Sequence, residues 1–472
     1  MNRRSFFKNG TLLTAGATLL TPFDSFSANS VAGKPKSNKK AKNIIMMVSD
    51  GMSTGTLNMA DIFLQRKYGK GSNWLNLYRE NKVSRGLMDM ASASSIVTDS
   101  SAASSSWGSG FRVKNGALNV GENGQEYLPI WQKFKKSGKM AGCVTTVPIT
   151  HATPAGFCVN SKSRNSQADI AQQYLEIQFD IMMGGGQQYF ESSSRKDKKD
   201  MYSAFKQKGY QVALNRSEMF ALSNEKPILG VFAEDALPYS IDRQQDETLQ
   251  KNIPTLAEMT QKAIDRMKNH KNGFVLQVEG GKVDWAAHAN DLAALINDQI
   301  AFDEAIQTAL DFAEKDQNTL VIITTDHGNA NPGIIYGKNA NDNFDGVQKF
   351  KQTNEWILNQ ITAQSTDSQI KELIEYNNNF VLNNDEINTI KGYYNGLSKS
   401  DDGLYNYKHL PFETFAQIQK KHTSVGWISM DHSADYTEIA MYGPGSENHL
   451  PFIKNTDLHY LMLQAAEIEN KF

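Results

Sequence analysis

Asp284 and His288 stand four residues apart in VEGGKVDWAAH (278–288), and one helical turn would bring both to one face. A carboxylate and an imidazole so placed suit zinc, and His432 in MDHSADYTE (430–438) can complete the set. Asp326 and His327 are adjacent in TTDHG (324–328), so both reach one metal only at an irregular strand end. Asp50 closes NIIMMVSD (43–50), Thr150, His151 and Thr153 follow MAGCVTTVPI (140–149), and Glu279 ends FVLQVE (274–279). Thr, Asp and Glu without His favour magnesium, which prefers oxygen ligands. Each residue alone reads as a turn or cap. Carboxylates gathered on one edge would repel one another unless cations neutralise them. A nucleophile candidate, Ser100, lies in TDSSAASSSW (98–107). Asp99 reads as an N-cap there, which places Ser100 at the positive end of a helix where an oxyanion is favoured. By itself the segment reads more readily as a small-residue helix packed closely on a sheet, because Ser is common near helix starts.

These residues follow apolar runs that must be buried strands. NIIMMVS (43–49), MAGCVTTVPI (140–149), FDIMMGGG (179–186), FVLQVEG (274–280) and TLVIITTDHG (319–328) lack polar alternation, as strands covered on both faces do. TEIAMYG (437–443) reads as the last strand. Helical spacing fills 54–68, 291–315 and 457–468. The alternation predicts an α/β fold with a large, mostly parallel central sheet and helices on both faces. Ligands bind beyond the carboxyl ends of such strands, which is where the candidate residues fall. Residues 187–250 form a polar excursion. The Asn- and Asp-rich stretch 337–425 reads as an insertion of mixed short elements, dividing a catalytic domain of 43–336 and 426–472.

The chain has 472 residues, 40% of them hydrophobic, which is a globular composition. A net charge of −2 gives no basic field for nucleic acid. The two cysteines, Cys143 and Cys158, allow one bridge or none and read as small buried hydrophobes. Residues 1–28 carry Arg3 and Arg4, then an uncharged run over 10–23 and small residues at Ser25, Ser27 and Ala28. This resembles a twin-arginine export signal, so a periplasmic or secreted protein is expected, with no membrane span. A basic linker (29–42) follows.

DGM (50–52), TDSSAAS (98–104), HATPAGF…SR (151–164), VEGGKVDWAAH (278–288), TTDHG (324–328) and DH…YGPG (431–445) together resemble the alkaline phosphatase family in order and spacing. The resemblance runs from about 43 to 465. It implies a large α/β sandwich with a crown-like insertion. It also implies hydrolysis of phosphate monoesters through a phosphorylated Ser100, with two zinc ions and one magnesium ion per subunit. On that resemblance Asp284, His288 and His432 hold one zinc, Asp50, Asp326 and His327 the other, and Asp50, Thr153 and Glu279 the magnesium. Arg164 clamps the phosphate, a role suited to its planar donor fork. Small phosphate monoesters and inorganic phosphate are the expected partners, and a homodimer the expected assembly. The superfamily also contains phosphodiesterases and sulfatases. A non-catalytic phosphate- or metal-binding protein is the alternative outside enzymes.

His151 and Trp285 stand where the best-studied bacterial relatives carry Asp and Lys. His151 is expected behind the ligands of the third metal, where imidazole favours zinc over magnesium. Trp285 removes a cation from the phosphate pocket, or simply packs at its rim. FAEDALPYSIDR (232–243) resembles a calcium-binding stretch of animal members, but Ala233 replaces a Glu there, and calcium is not expected. Lys282 reads as exposed, Asp303 and Glu304 as a solvated helix face, and His270, His409, His422, His449 and His459 as surface or packing residues, with His422 a possible metal contact.

Overall fold

The computed structural model describes residues 40–400 and 403–470, so the export segment expected at 1–28 lies outside the described residues. Among the described residues, ten strands form one sheet. In chain order they are β1 (Asn43–Ser49), β2 (Ser84–Asp89), β3 (Met140–Pro148), β4 (Ile181–Gly185), β5 (Gln211–Ala213), β6 (Ile228–Val231), β7 (Phe274–Gly280), β8 (Thr319–Thr324), β9 (Thr437–Tyr442) and β10 (Phe452–Lys454). Their spatial order is β10-β2-β9-β8-β1-β7-β3-β4-β6-β5. Only β9 runs against the others, pairing antiparallel with both β8 and β2. The expected parallel sheet is therefore present, with one reversed strand, and β9 is followed by the short β10.

The apolar runs behave as their composition demands. Ile45 and Met47 of β1 enter the core on one face of the sheet, and Ile44, Met46 and Val48 enter the core on the other. Alternate side chains of a strand point to opposite faces, so a strand buried on both must be apolar throughout.

Sequence reading missed β2, β5, β6 and β10. They are short, and β2 (SRGLMD) exposes three of its six positions only in part. The excursion at 187–250 thus supplies two strands, β6 and the edge strand β5, rather than loop alone. The insertion is helical where mixed elements were expected. It carries helices Ala340–Gly346, Asn354–Gln360, Asp367–Asn378, Asn384–Tyr393 and Phe412–Thr423. A two-residue ladder, Gly333–Ile334 against Val425–Gly426, closes its base.

Two local expectations are corrected. Asp303 is buried, not solvated: its carboxylate accepts from the backbone amides of Asn73 at 2.7 Å and Trp74 at 3.0 Å and so caps the Asn73–Arg79 helix. Lys282 is buried rather than exposed, with Nζ 3.5 Å from the ring centroid of Tyr239. His422 stacks on Phe380 at 4.2 Å and takes no part in the site. Cys143 and Cys158 are both buried and free, with sulfurs 3.8 Å apart.

Candidate active site

The four central strands β8, β1, β7 and β3 are neighbours, and their carboxyl ends carry the chemistry. Register does the assembly: Val48 lies beside both Glu279 and Thr324, so Asp50 emerges between Glu279 and the Thr325–His327 turn. Gly51 follows Asp50 with φ +65°, and a Cβ there would sit 2.3 Å from Asp284 Oδ1. Only glycine lets the β1 turn lie this close. Its amide donates to Asp326 Oδ1 at 3.0 Å.

His432 comes from far along the chain. It is brought in by a two-residue ladder in which His432 pairs with Asn329 and Ser433 with Gly328. Its Nε2 lies 3.1 Å from His288 Nε2, and Asp284 sits below both at 3.5 and 3.6 Å. His327 stacks on His432 at 3.7 Å between centroids. Its Nε2 is 3.2 Å from Ser100 Oγ, 3.3 Å from Asp326 and 3.6 Å from Asp50. Thr153 Oγ1 donates to Asp50 Oδ2 at 3.2 Å, and Glu279 lies on the same side.

The donors fit metal ions. Nδ1 of His288, His327 and His432 faces the carbonyl of Met430, Gly328 and Thr98 respectively. A carbonyl only accepts, so each Nδ1 holds the proton and each Nε2 turns a lone pair into the shared space. Two lone pairs facing at 3.1 Å repel unless a cation lies between them. Asp50 Oδ1, Asp326 Oδ2 and Glu279 Oε1 are buried without a hydrogen-bond partner. Three clusters each gather ligand atoms within 4.8 Å: Asp284, His288 and His432; Asp50, Asp284 and His327; and Asp50, His151 and Glu279.

Charge follows burial. Burial, and then Asp326, raise Asp50 well above its ordinary value. Burial raises Glu279 to about 7 and Asp326 to about 6. Asp284 is also pushed up by burial, but His288, His327 and His432 outweigh that and leave it at about 2. Burial lowers His327 to about 4, so it is neutral and free to ligate.

Ser100 opens the fully buried Ser100–Ser109 helix. Asp99 caps it, accepting from the Ala102 amide at 2.9 Å and the Gly116 amide at 2.9 Å, and also binds Arg164 Nη1 at 3.1 Å. Burial pushes Asp99 up, but Arg164 and the Ala102 amide overcome it, and its carboxyl lies below the ordinary value. The small-residue reading of this helix holds as well: Ser104 Oγ donates to the Ala152 carbonyl at 3.0 Å where the Ala152–Cys158 helix crosses. Arg164 Nη2 donates to His151 Nε2 at 3.1 Å. A neutral imidazole has one lone pair, so binding Arg164 there and ligating a third metal compete for His151. Trp285 lies edge-on to His151 at 6.3 Å.

Thirteen of the residues singled out in the sequence meet in this region, whereas Thr150 donates its hydroxyl to Gln167 Oε1 at 2.8 Å. Two that were missed support them. Asn329 Nδ2 donates to Asp284 Oδ1 at 2.7 Å, and Thr145 Oγ1 donates to Glu279 Oε2 at 2.5 Å. Nothing in their local sequence marks them, since both act across strands.

The family profile described as alkaline phosphatase matches residues 41–468. The chain belongs to the alkaline phosphatase family. Alkaline phosphatase 4 of Bacillus subtilis is 28% identical over 460 residues, covering 95% of this chain and 93% of that protein. The crystal structure of Thermus thermophilus alkaline phosphatase superposes with a TM-score of 0.84 at 30% identity, covering 96% of both chains. A mutant TAB5 alkaline phosphatase, solved with magnesium bound in its M3 site, shares the fold at a TM-score of 0.64 and 23% identity, covering 92% of this chain and 99% of that one. Membership of this family makes the protein a phosphatase with metal-binding groups in its site.

Proposed function

We propose that the protein hydrolyses phosphate monoesters to alcohol and inorganic phosphate through a phosphoserine on Ser100. The observation that carries this reading is Ser100 Oγ at a helix N-terminus, 3.2 Å from His327 Nε2 and beside three clusters of buried metal-type ligands. Asp284, His288 and His432 would hold one zinc, and Asp50, Asp326 and His327 a second. Asp50, Thr153 and Glu279 would hold magnesium, a choice supported by their oxygen donors. When bound, such ions neutralise developing charge and lower the pKa of water.

The chain's own residues do the rest. Arg164, held by Asp99, offers its fork to two phosphate oxygens. The amides at the start of the Ser100–Ser109 helix face the same charge. Ser100 Oγ forms a bond to phosphorus as the ester P–O bond breaks, and the leaving oxygen takes up a proton. Water then cleaves the phosphoserine, which returns the serine hydroxyl and releases phosphate. Positioning and charge neutralisation are what this transfer needs.

The test is hydrolysis of p-nitrophenyl phosphate against pH, with metal-loaded and chelated protein and bis-p-nitrophenyl phosphate alongside. Monoester turnover that rises above neutral pH, disappears with chelator and falls at least about 1,000-fold in Ser100→Ala is expected. A diester preference would make this a phosphodiesterase. No turnover with metal still bound would favour a sulfatase or a binding protein. Export by the 1–28 segment and a homodimeric state belong to the same proposal. They are checked by fractionation of a tagged chain and by sedimentation.

A further inference from the structure

A cavity of about 950 Å³ opens between the catalytic body and the insertion. His288 and Trp285 form its inner end, Leu237 and Tyr239 one wall, and Trp356 and Tyr407 of the insertion the other. Tyr407 Oη donates to the Trp285 carbonyl at 3.4 Å, which ties the insertion to the Lys282–His288 helix. Lys282, only 6% exposed, spreads its ammonium over the rings of Tyr239 at 3.5 Å and Trp285 at 4.8 Å. Its charge is thereby absorbed by aromatic faces.

A run of contacts leads from the nucleophile through the three histidines to the cavity. Ser100 Oγ touches His327, His327 stacks on His432, and His432 faces His288, whose ring borders the cavity. In an in-line displacement the leaving oxygen departs opposite the nucleophile. We infer that this cavity is the subsite for the leaving alcohol, and that it takes an aromatic alcohol, uncharged or cationic. The inference rests on the phosphomonoesterase reading above. The aromatic rings among the lining residues suit a flat apolar body. Asp235, Asp242 and Glu355 border the cavity against the one cation Lys282, which disfavours a second anion on the substrate.

The experiment compares kcat/KM for 2-naphthylmethyl and n-propyl phosphate, two primary-alcohol esters, in metal-loaded parent chain, Trp356→Ala and Tyr407→Ala. Trp356 is 38% exposed, so its truncation leaves the core intact. The aromatic ester is expected to be favoured at least tenfold in the parent, and either variant to shrink that ratio at least fivefold through KM. A parental ratio near one, or a ratio unchanged in both variants, overturns the subsite while the phosphatase reading stands. Turnover of neither ester by the parent overturns that reading and the subsite with it. 4-Carboxybenzyl phosphate is expected at least threefold below benzyl phosphate. Equal or better turnover of the carboxylate overturns the charge preference.

Discussion

Asp284 shows how one side chain becomes a ligand. Spacing places it a turn before His288, but its direction is fixed by Asn329, whose amide donates to Oδ1 at 2.7 Å. Groups behind a ligand orient it and tune the metal. Asn329→Leu should therefore weaken metal binding by about 10–100-fold with the fold retained. Competition with a chromogenic chelator measures this, and unchanged affinity would remove Asn329 from the site. Ser100, Asp99 and Arg164 were legible from residue type and from the family motifs that contain them, although Ser100 meets His327 across 227 residues and Arg164 meets Asp99 across 65. Thr145 and Asn329 were not, because no motif marks them and their partners, 134 and 45 residues away, are set by strand register and the turn after β8.

Helices and strands set the distances. The Ser100–Ser109 and Ala152–Cys158 helices approach so closely that a Cβ on Gly156 would fall 2.0 Å from Ser104 Oγ. Gly156→Ala should cost about 1–3 kcal/mol by overpacking. It should also displace Ser100 or Thr153, so both the melting temperature and turnover fall; a parental melting temperature would show that the pair has slack. The Leu292–Asp316 helix carries a different load. Asp298 on it accepts from the Ser240 amide and hydroxyl, both at 3.1 Å, yet burial raises its carboxyl to about 7. The folded pKa lies above that of the unfolded chain. The contribution of the protonated form is therefore complete below about pH 4 and is lost as pH rises through 7. Asp298→Asn stays neutral throughout, so its melting temperature should gain on the parent between pH 4 and 7.5. A constant difference across that range would contradict the buried, titrating carboxylate.

At the scale of the whole molecule, the adjacent ends of β8, β1 and β7 gather carboxylates on one edge that a bare polypeptide holds poorly. Asp50, Asp326 and Glu279 each keep a buried oxygen without a partner, and burying charge without compensation is costly. Ligands that bind only the native state raise its stability by mass action. Chelation should therefore lower the melting temperature, and zinc with magnesium should restore it, even in Ser100→Ala, which cannot turn over. A melting temperature indifferent to chelator would argue against resident metal at these carboxylates. The insertion contributes to the molecule as a whole by roofing the cavity at His288.

The sequence alone determined the buried strands, the strand-end chemistry and the family resemblance. Apolar runs such as NIIMMVS have no stable place except between two helical layers, and motifs such as TDSSAAS and VEGGKVDWAAH carry their geometry within a turn or two. Only the tertiary structure decided which strand ends meet. Sheet order put β8, β1, β7 and β3 side by side, and a two-residue ladder delivered His432. It also turned Asp303 and Lys282 inward, against their hydropathy. The amides of a distant helix end hold Asp303, and the ring of Tyr239, from another segment, joins that of Trp285 on the same helix to cover Lys282, satisfying charges that the chain by itself would leave to water.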